Sequence, residues 1–567
     1  MSGALEVAAT GAAAEAVRAL VPGLVEDRFA SRLFAGEANL WGADAEDEAG
    51  RRLAWVGLHR SSRPLLGEIA ALREELAGEG VDHVVLCGMG GSSLAPEVIC
   101  RTAGVELTVL DSSSPDQVRS ALGDRLERTV VVVSSKSGST VETDSQRRAF
   151  EAAFREATLD PTRRIVIVTD PGSPLDQQAR QDGYRVINAD PEVGGRYSAL
   201  TAFGLVPSGL AGADIEALLD EADAVADLLA DDDEGNPGLR LGAALGGTSP
   251  LRDKLVLVDE GSGIVGFADW AEQLIAESTG KQGTGLLPVV VEDDSAPEVA
   301  LPPRDVTLVR LVADEDTGSP DDDAAGDDDA GAGAGAASAA GAAADQADAA
   351  TGGSDVHVSG PLGAQLLLWE VAVATAGRVL GINPFDQPDV ESAKKAAREM
   401  LEGAPERTAP DLTDGAVEIR ALGGPWLGEA DTVREAVTAL VAQVDAEVGY
   451  LAVMAYLDRE AHAQLAGVRR RLALRARRPV TFGWGPRFLH STGQFHKGGP
   501  PVGVYLQVTA DPVQDLPVPG RDFTFGTLIA AQAAGDARVL AEHERPVLRL
   551  HLTDLDTGLA QLEEALG

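Results

Sequence analysis

Short apolar runs separated by helix-length stretches constrain this chain more than any other feature. VVLCG at Val84, LTVLD at Leu107, VVVVS at Val130 and IVIVTD at Ile165 are apolar almost without interruption rather than at alternate positions. A strand apolar on both sides has to be covered on both faces, which is the condition of a parallel sheet between two layers of helix. A second set follows, with KLVLVDEGSG at Lys254, LLPVVV at Leu286 and VTLVRLV at Val306. Its passage from strand through Gly/Ser loop to helix echoes VVLCGMGGSSLAPEVI in the first set. The expected fold class is α/β: two three-layer domains with parallel sheets, flanked by other regions.

With 567 residues there is room for such a division. Residues 1–78 read as a helical lead-in, on patterns such as LLGEIAALREELAG from Leu65. The first α/β domain is placed at 79–212 and the second at 213–401. Inside the second, 314–355 is an acidic and then Ala/Gly-rich tract without aromatic residues or a bulky apolar pattern, and is expected to be disordered. Its carboxylates lack the spacing and turn glycine of a calcium loop. A C-terminal region at 402–567 is expected to combine a long helix around Ala439 to Arg478 with strands at VGVYLQV and VLRLHL.

The formal charge of -43 argues against nucleic acid or an anionic membrane as partner, because both would be repelled at long range. An anionic small molecule must then be held locally, by N–H donors and a few cations within a screening length. Two cysteines, Cys87 and Cys100, do not make a disulfide framework. With no signal-peptide pattern at the N-terminus and no membrane-length apolar segment, the expectation is a cytoplasmic protein. No His, Cys, Asp or Glu cluster has metal-ligand spacing in the sequence, so neither metal nor organic cofactor is expected.

Two loops carry the chemistry. SSKSGSTVET, from Ser134 to Thr143, follows an apolar strand and opens a polar helix. Such a turn presents backbone N–H groups, hydroxyls and a helix N-terminus to a phosphate without needing net positive charge. Ser135, Ser137, Thr140 and Thr143 supply donors and Lys136 a point charge. An ordinary Ser/Thr-capped helix is the plain alternative. The other loop, CGMGGSSL from Cys87, suits close approach of backbone to a ligand. It also admits a dinucleotide fingerprint through Gly88, Gly90 and Asp111, but Ser93 stands where the third glycine belongs.

Together these loops resemble the sugar isomerase (SIS) fold, which implies flavodoxin-like parallel sheets that bind phosphosugars at the carboxyl ends of their strands. GGRYSALTAFGL at Gly194, EQLIAESTGK at Glu272 and INPFDQPDVESAK at Ile382 each resemble a signature of the glucose-6-phosphate isomerase family, in the right order. FGWGPRFLHSTGQFHKGGPP further resembles the isomerase part of bifunctional transaldolase/phosphoglucose isomerase proteins. The resemblance implies reversible interconversion of glucose 6-phosphate and fructose 6-phosphate, a step of glycolysis and gluconeogenesis, through an enediol(ate).

The resemblance assigns Gly91 and Ser92 to the sugar, and Ser135, Lys136, Ser137, Thr140 and Thr143 to the phosphate. It makes Glu277 the base, puts Arg196 by the reacting carbons and Lys394 near the ring oxygen, and has Gln273 and Gln387 contact substrate. Ring opening needs a group that exchanges a proton near neutral pH, for which histidine is suited. Between the glutamate and lysine motifs the only histidine is His357, whereas His490 and His496 bracket STGQ in the C-terminal region. Either of these two fits the role. A homodimer, possible use of mannose 6-phosphate, and two rival readings complete the expectation: a non-catalytic sugar-phosphate sensor and an NAD-dependent oxidoreductase.

Overall fold

The computed structural model describes residues 5–313, 353–389, 401 and 409–566. Strand β1 (Glu6–Thr10) precedes a group of helices, and the first sheet then follows in β2 (His83–Cys87), β3 (Thr108–Leu110), β4 (Thr129–Ser134), β5 (Ile165–Thr169) and β6 (Arg185–Asn188). All pairings among these five are parallel, in the spatial order β3-β2-β4-β5-β6. Cys87 sits between Leu110 and Val133 in the register. Every residue of β2, β4 and β5 is buried, as their continuous apolar character requires.

The second sheet contains β7 (Lys254–Glu260), β8 (Leu287–Val290), β9 (Val306–Val312) and β10 (Ser354–Ser359), again parallel, in the order β1-β10-β9-β7-β8. Strand β1 joins it antiparallel at the edge, Ala8 opposite His357. The lead-in is therefore not purely helical: EVAAT is too short and too weakly patterned to declare itself, and pairing with β10 fixes it as strand. The acidic tract lies outside the described residues over 314–352, and its expected final residues, Ser354 and Asp355, begin β10.

A third sheet occupies the C-terminal region: β11 (Leu412–Asp414), β12 (Val417–Leu422), β13 (Tyr450–Tyr456), β14 (Val480–Trp484), β15 (Gly503–Ala510) and β16 (Val547–Leu552), in the order β11-β12-β16-β15-β13-β14. The long helix expected from Ala439 to Arg478 is instead helix Val433–Val441, strand β13 and helix Val468–Ala476. YLAVMAY is buried at every position and sits centrally among parallel neighbours, and a short run apolar throughout looks the same as a buried helix segment by periodicity.

Alternation along the second sheet divides its two faces. Leu255 and Leu257 join the main core with the helices, whereas Val256 and Val258 pack with Tyr450, Met454 and Tyr505 of the C-terminal region. The third region thus supplies one of the covering layers of the second α/β sheet. It also reaches the first: Val518 and Phe525 pack in the core of the outer face of β2, β4 and β5.

Candidate active site

In the first sheet the chain runs from β2 out to β3 and then crosses back to β4 on the other side of β2. The carboxyl ends of β2 and β4 therefore border the switch point, where crevices form in open parallel sheets. The loops from Gly88 and from Ser135 leave these two ends, so topology brings both glycine- and serine-rich turns together. At Gly90, φ is +57°, and a Cβ there would stand 2.8 Å from Gln273 Nε2 and 2.9 Å from His490 Cβ. At Gly91 it would stand 2.0 Å from the Gly195 carbonyl oxygen. These glycines let the β2 loop touch the Arg196 turn and the third region at once, and half-buried Ser92 ends the same turn.

The loop after β4 folds on its own hydroxyls. Ser135 Oγ accepts from the Gly138 N–H at 3.2 Å and donates to Thr140 Oγ1 at 3.4 Å, and Ser137 and Ser139 hydroxyls are 2.7 Å apart. Helix Val141–Glu156 starts at Thr140 with no side chain capping it, so its N-terminal partial positive charge is open to an anion. Thr143, in the first turn, is 1% exposed and its hydroxyl has no partner among the described residues. Lys136 is turned aside, with Nζ 2.8 Å from Asp170 and donating to the Val193 carbonyl at 2.9 Å. The loop's anion-binding capacity accordingly rests on N–H and hydroxyl donors.

The second sheet delivers the carboxylate. Helix Phe267–Thr279 follows β7, and Gln273 and Glu277, four apart, share one of its faces. Gln273 Nε2 donates to Glu277 Oε2 at 3.1 Å and to the His490 carbonyl at 2.7 Å. Arg196 Nη1 stands 3.7 Å from Glu277 Oε1, and both side chains are largely buried. Its guanidinium is fixed on all sides: Nε donates to Ser278 Oγ at 2.8 Å, Nη1 to Gln387 Oε1, and Nη2 to the Pro384 carbonyl at 2.7 Å. A charge held this way is preorganised and spends nothing on reorienting during a reaction.

The two C-terminal histidines have different surroundings. His490 Nε2 donates to Glu142 Oε1 at 3.2 Å and its side chain keeps 14% of its surface. His496 is enclosed by the rings of Tyr450, Phe488 and Tyr505, with neither ring nitrogen partnered among the described residues. Burial there, with Lys497 adding to it, drives its pKa down to about 3. Lys394 lies outside the described residues.

Groups that the sequence reading passed over belong to the same place. Glu142, inside SSKSGSTVET, accepts from His490 and from Gln532 Nε2 at 2.6 Å. Gln494, inside HSTGQ, donates to the Gly280 carbonyl and to Asp389, tying the histidine segment to the FDQPD segment. Lys281, the last residue of ESTGK, is buried and donates to Asn383 and Asp386; burial, with Arg196 nearby, lowers its pKa to about 8. Their motifs were visible, but their partners lie 100 to 390 residues away.

The dinucleotide alternative loses its carboxylate. Asp111 is fully buried, with Arg487 donating to Oδ2 at 2.8 Å and Arg459 3.3 Å from Oδ1, so its charge faces two arginines of the third region and not an open groove. Among the described residues His83, Glu106 and Asp124 bring possible ligand atoms within 4.8 Å of one another, but Arg125 already binds both carboxylates. No helix among the described residues is long and apolar enough to cross a membrane.

Residues 69–234 match the phosphoglucose isomerase family model. A glucose-6-phosphate isomerase of Rubrobacter xylanophilus is 30% identical over 410 residues, covering 64% of this chain and 95% of that protein. The chain belongs to the glucose-6-phosphate isomerase family. A glucose-6-phosphate isomerase of Synechococcus sp. (strain JA-3-3Ab) is 31% identical over 353 residues, 56% of this chain and 65% of that relative's own length, just under two thirds. In fold, the chain is similar to a solved glucose-6-phosphate isomerase of Chlamydia trachomatis, with a TM-score of 0.52 at 21% identity over 68% of this chain and 86% of that one. Within the family match lie both loops and Arg196; Glu277, Gln387 and His490 follow it in the chain.

Proposed function

We propose that this chain interconverts glucose 6-phosphate and fructose 6-phosphate through an enediol(ate), the isomerase step of glycolysis and gluconeogenesis. The observation that carries the reading is the placement of the Glu277 carboxylate, 3.7 Å from the Arg196 guanidinium and held by Gln273, beside the glycine loop of β2. Moving a carbonyl between neighbouring carbons requires taking a C–H proton from one and returning it to the other. One carboxylate serves both transfers, and a positioned base contributes roughly 10²- to 10⁴-fold. Arg196, always protonated, offsets the charge that develops on the oxygens.

In this reading the phosphate sits on Ser135, Ser137, Thr140 and Thr143 and on the open helix end at Val141, with Lys136 at the rim. Gly91 and Ser92 pass along the sugar, and Gln273 and Gln387 orient Glu277 and Arg196. His490, oriented by Glu142, exchanges the proton of ring opening, and Lys394 acts near the ring oxygen as the family resemblance implies. His496 is left out of the reaction, because a histidine that stays neutral within an aromatic cage has no acid form to use. Free, buried Cys87 and Cys100 support a reducing, cytoplasmic setting. The homodimer stays in the proposal on the family resemblance.

The test is a coupled assay in both directions, wild type against Glu277→Gln. The expected loss is at least about 10²-fold in kcat with KM little changed. Turnover that survives the substitution rejects Glu277 as base, and an inactive wild type that still binds fructose 6-phosphate favours the sensor.

A further inference from the structure

Behind the β2 loop, a cavity of about 850 Å³ opens between the first sheet's β3 edge, helix Phe267–Thr279 and the third region's edge strand β14. It has no part in the reaction proposed above. Its three arginines are already engaged: Arg487 donates to Glu97 and Asp111, Arg459 donates to Glu97 with Asp111 and Glu460 beside it, and Arg101 lies 3.8 Å from Glu97, three cations on three carboxylates.

What is left over is acidic. Asp269 and Glu272, three apart on one helix, both line the cavity, and neither has a cation within ion-pair distance among the described residues. Among the described residues Glu272 accepts only from Ser491 Oγ, at 3.1 Å. Burial, with Asp269 next to it, pushes the Glu272 carboxyl up to about 8, which a bound cation would relieve. Gln117 adds an independent sign of a missing partner: it lines the cavity, is 5% exposed, and its Oε1 accepts no hydrogen bond among the described residues. An acceptor so buried is costly unless something donates to it. Phe482 and Trp484 of β14 also line the cavity, edge to face with each other at 5.0 Å.

An unmet acceptor, two carboxyls without a cation of their own and aromatic lining together select a protonated amine with an apolar body, whose charge would draw the Glu272 carboxyl to its ionised form. We propose that this cavity binds such an organic ammonium ion, with Asp269, Glu272 and Gln117 receiving the N–H donors and Phe482 and Trp484 flanking the body. The cavity adjoins the catalytic groups through two neighbours in sequence: Ser491 follows His490, and Glu272 precedes Gln273, which donates to the His490 carbonyl. A cation drawing on Glu272 therefore bears on the segment that holds His490, and amine and sugar phosphate influence each other's affinity reciprocally.

The experiment is calorimetric titration of the full chain with phenethylammonium, using 2-phenylethanol as an uncharged probe of nearly the same shape. The expected result is saturable one-site binding of the amine, with the alcohol weaker by roughly ten-fold or more. Glu272→Gln and Trp484→Ala, each checked for an unchanged circular dichroism spectrum, should weaken the amine by a similar factor. The near-isosteric Glu272→Gln keeps the test decisive should Trp484→Ala fail to fold. Alcohol and amine binding alike, no amine binding, or amine binding indifferent to Glu272→Gln each overturns the proposal. This readout is binding, so it stands apart from whether the adjoining site isomerises sugars.

Discussion

His490 Nε2 lies 3.2 Å from Glu142 Oε1, joining the C-terminal region to the second residue of the helix that follows the β4 loop. Gln532 donates to the same carboxylate oxygen at 2.6 Å. One contact therefore couples the proposed ring-opening group to the element that would carry the phosphate, and a second side chain of the C-terminal region holds the carboxylate in place.

The two histidines are separable by substitution. His490→Gln is expected to cut kcat for glucose 6-phosphate by about 10²-fold, the lower range of a lost acid–base group. His496→Phe, filling an aromatic cage with another ring, should leave kcat within about two- to three-fold. Steady-state rates over pH 6 to 9 decide it; equal losses in both variants would remove His490 from its role.

His496 also makes a stability prediction. Its folded pKa is depressed to about 3 from an ordinary 6.5, so between these values the unfolded chain takes up a proton that the folded chain refuses. Stability from this residue is complete above pH 6.5 and is lost as pH falls towards 3, at no more than about 1.4 kcal/mol per pH unit. Thermal midpoints of His496→Phe should decline less steeply than those of wild type between pH 6.5 and 5. Parallel declines would show that the cage is not where the proton is refused.

Gly91→Ala tests the closeness of the two loops. The added Cβ would fall 2.0 Å from the Gly195 carbonyl, a contact that backbone has to move to relieve. Because Arg196 follows directly, the expected outcome is a kcat/KM loss of at least about ten-fold with Arg196 displaced from Glu277. Kinetics together with a crystal structure of the variant check this; wild-type kcat/KM would mean the loops need not meet.

Lys497 and Asp536 form an ion pair at 2.6 Å with both side chains 1% exposed. Lys497→Met leaves a buried carboxylate without its cation and should destabilise the fold by about 3–5 kcal/mol. Adding Asp536→Asn should restore much of that. Urea unfolding of the single and double variants is the measurement, and a single variant as stable as wild type would mean that Asp536 is reached by water.

The strand–turn–helix form of the loop after β4 was legible in sequence because its signal is local: strand, glycine turn and helix start fall within a few residues, and Gly138 adopts φ +76°. Lys136 was legible only as a cation. That it turns to Asp170 depends on a strand end some thirty residues on. The same limit explains β1 and β13. EVAAT becomes a strand by pairing with residues 355–359, and YLAVMAY by insertion between β14 and β15.

The order of residues alone was enough for the doubly covered parallel sheets, the succession of the motifs and the candidates for reacting groups, because burial periodicity and short motifs are properties of neighbouring residues. Tertiary structure decided which groups meet. It separated His490 from His496, withdrew Asp111 into an arginine pair, and brought Glu142, Gln494 and Lys281 to the site. Those outcomes depend on side chains hundreds of residues apart competing for the same buried partners, and spacing along a chain carries no record of that competition.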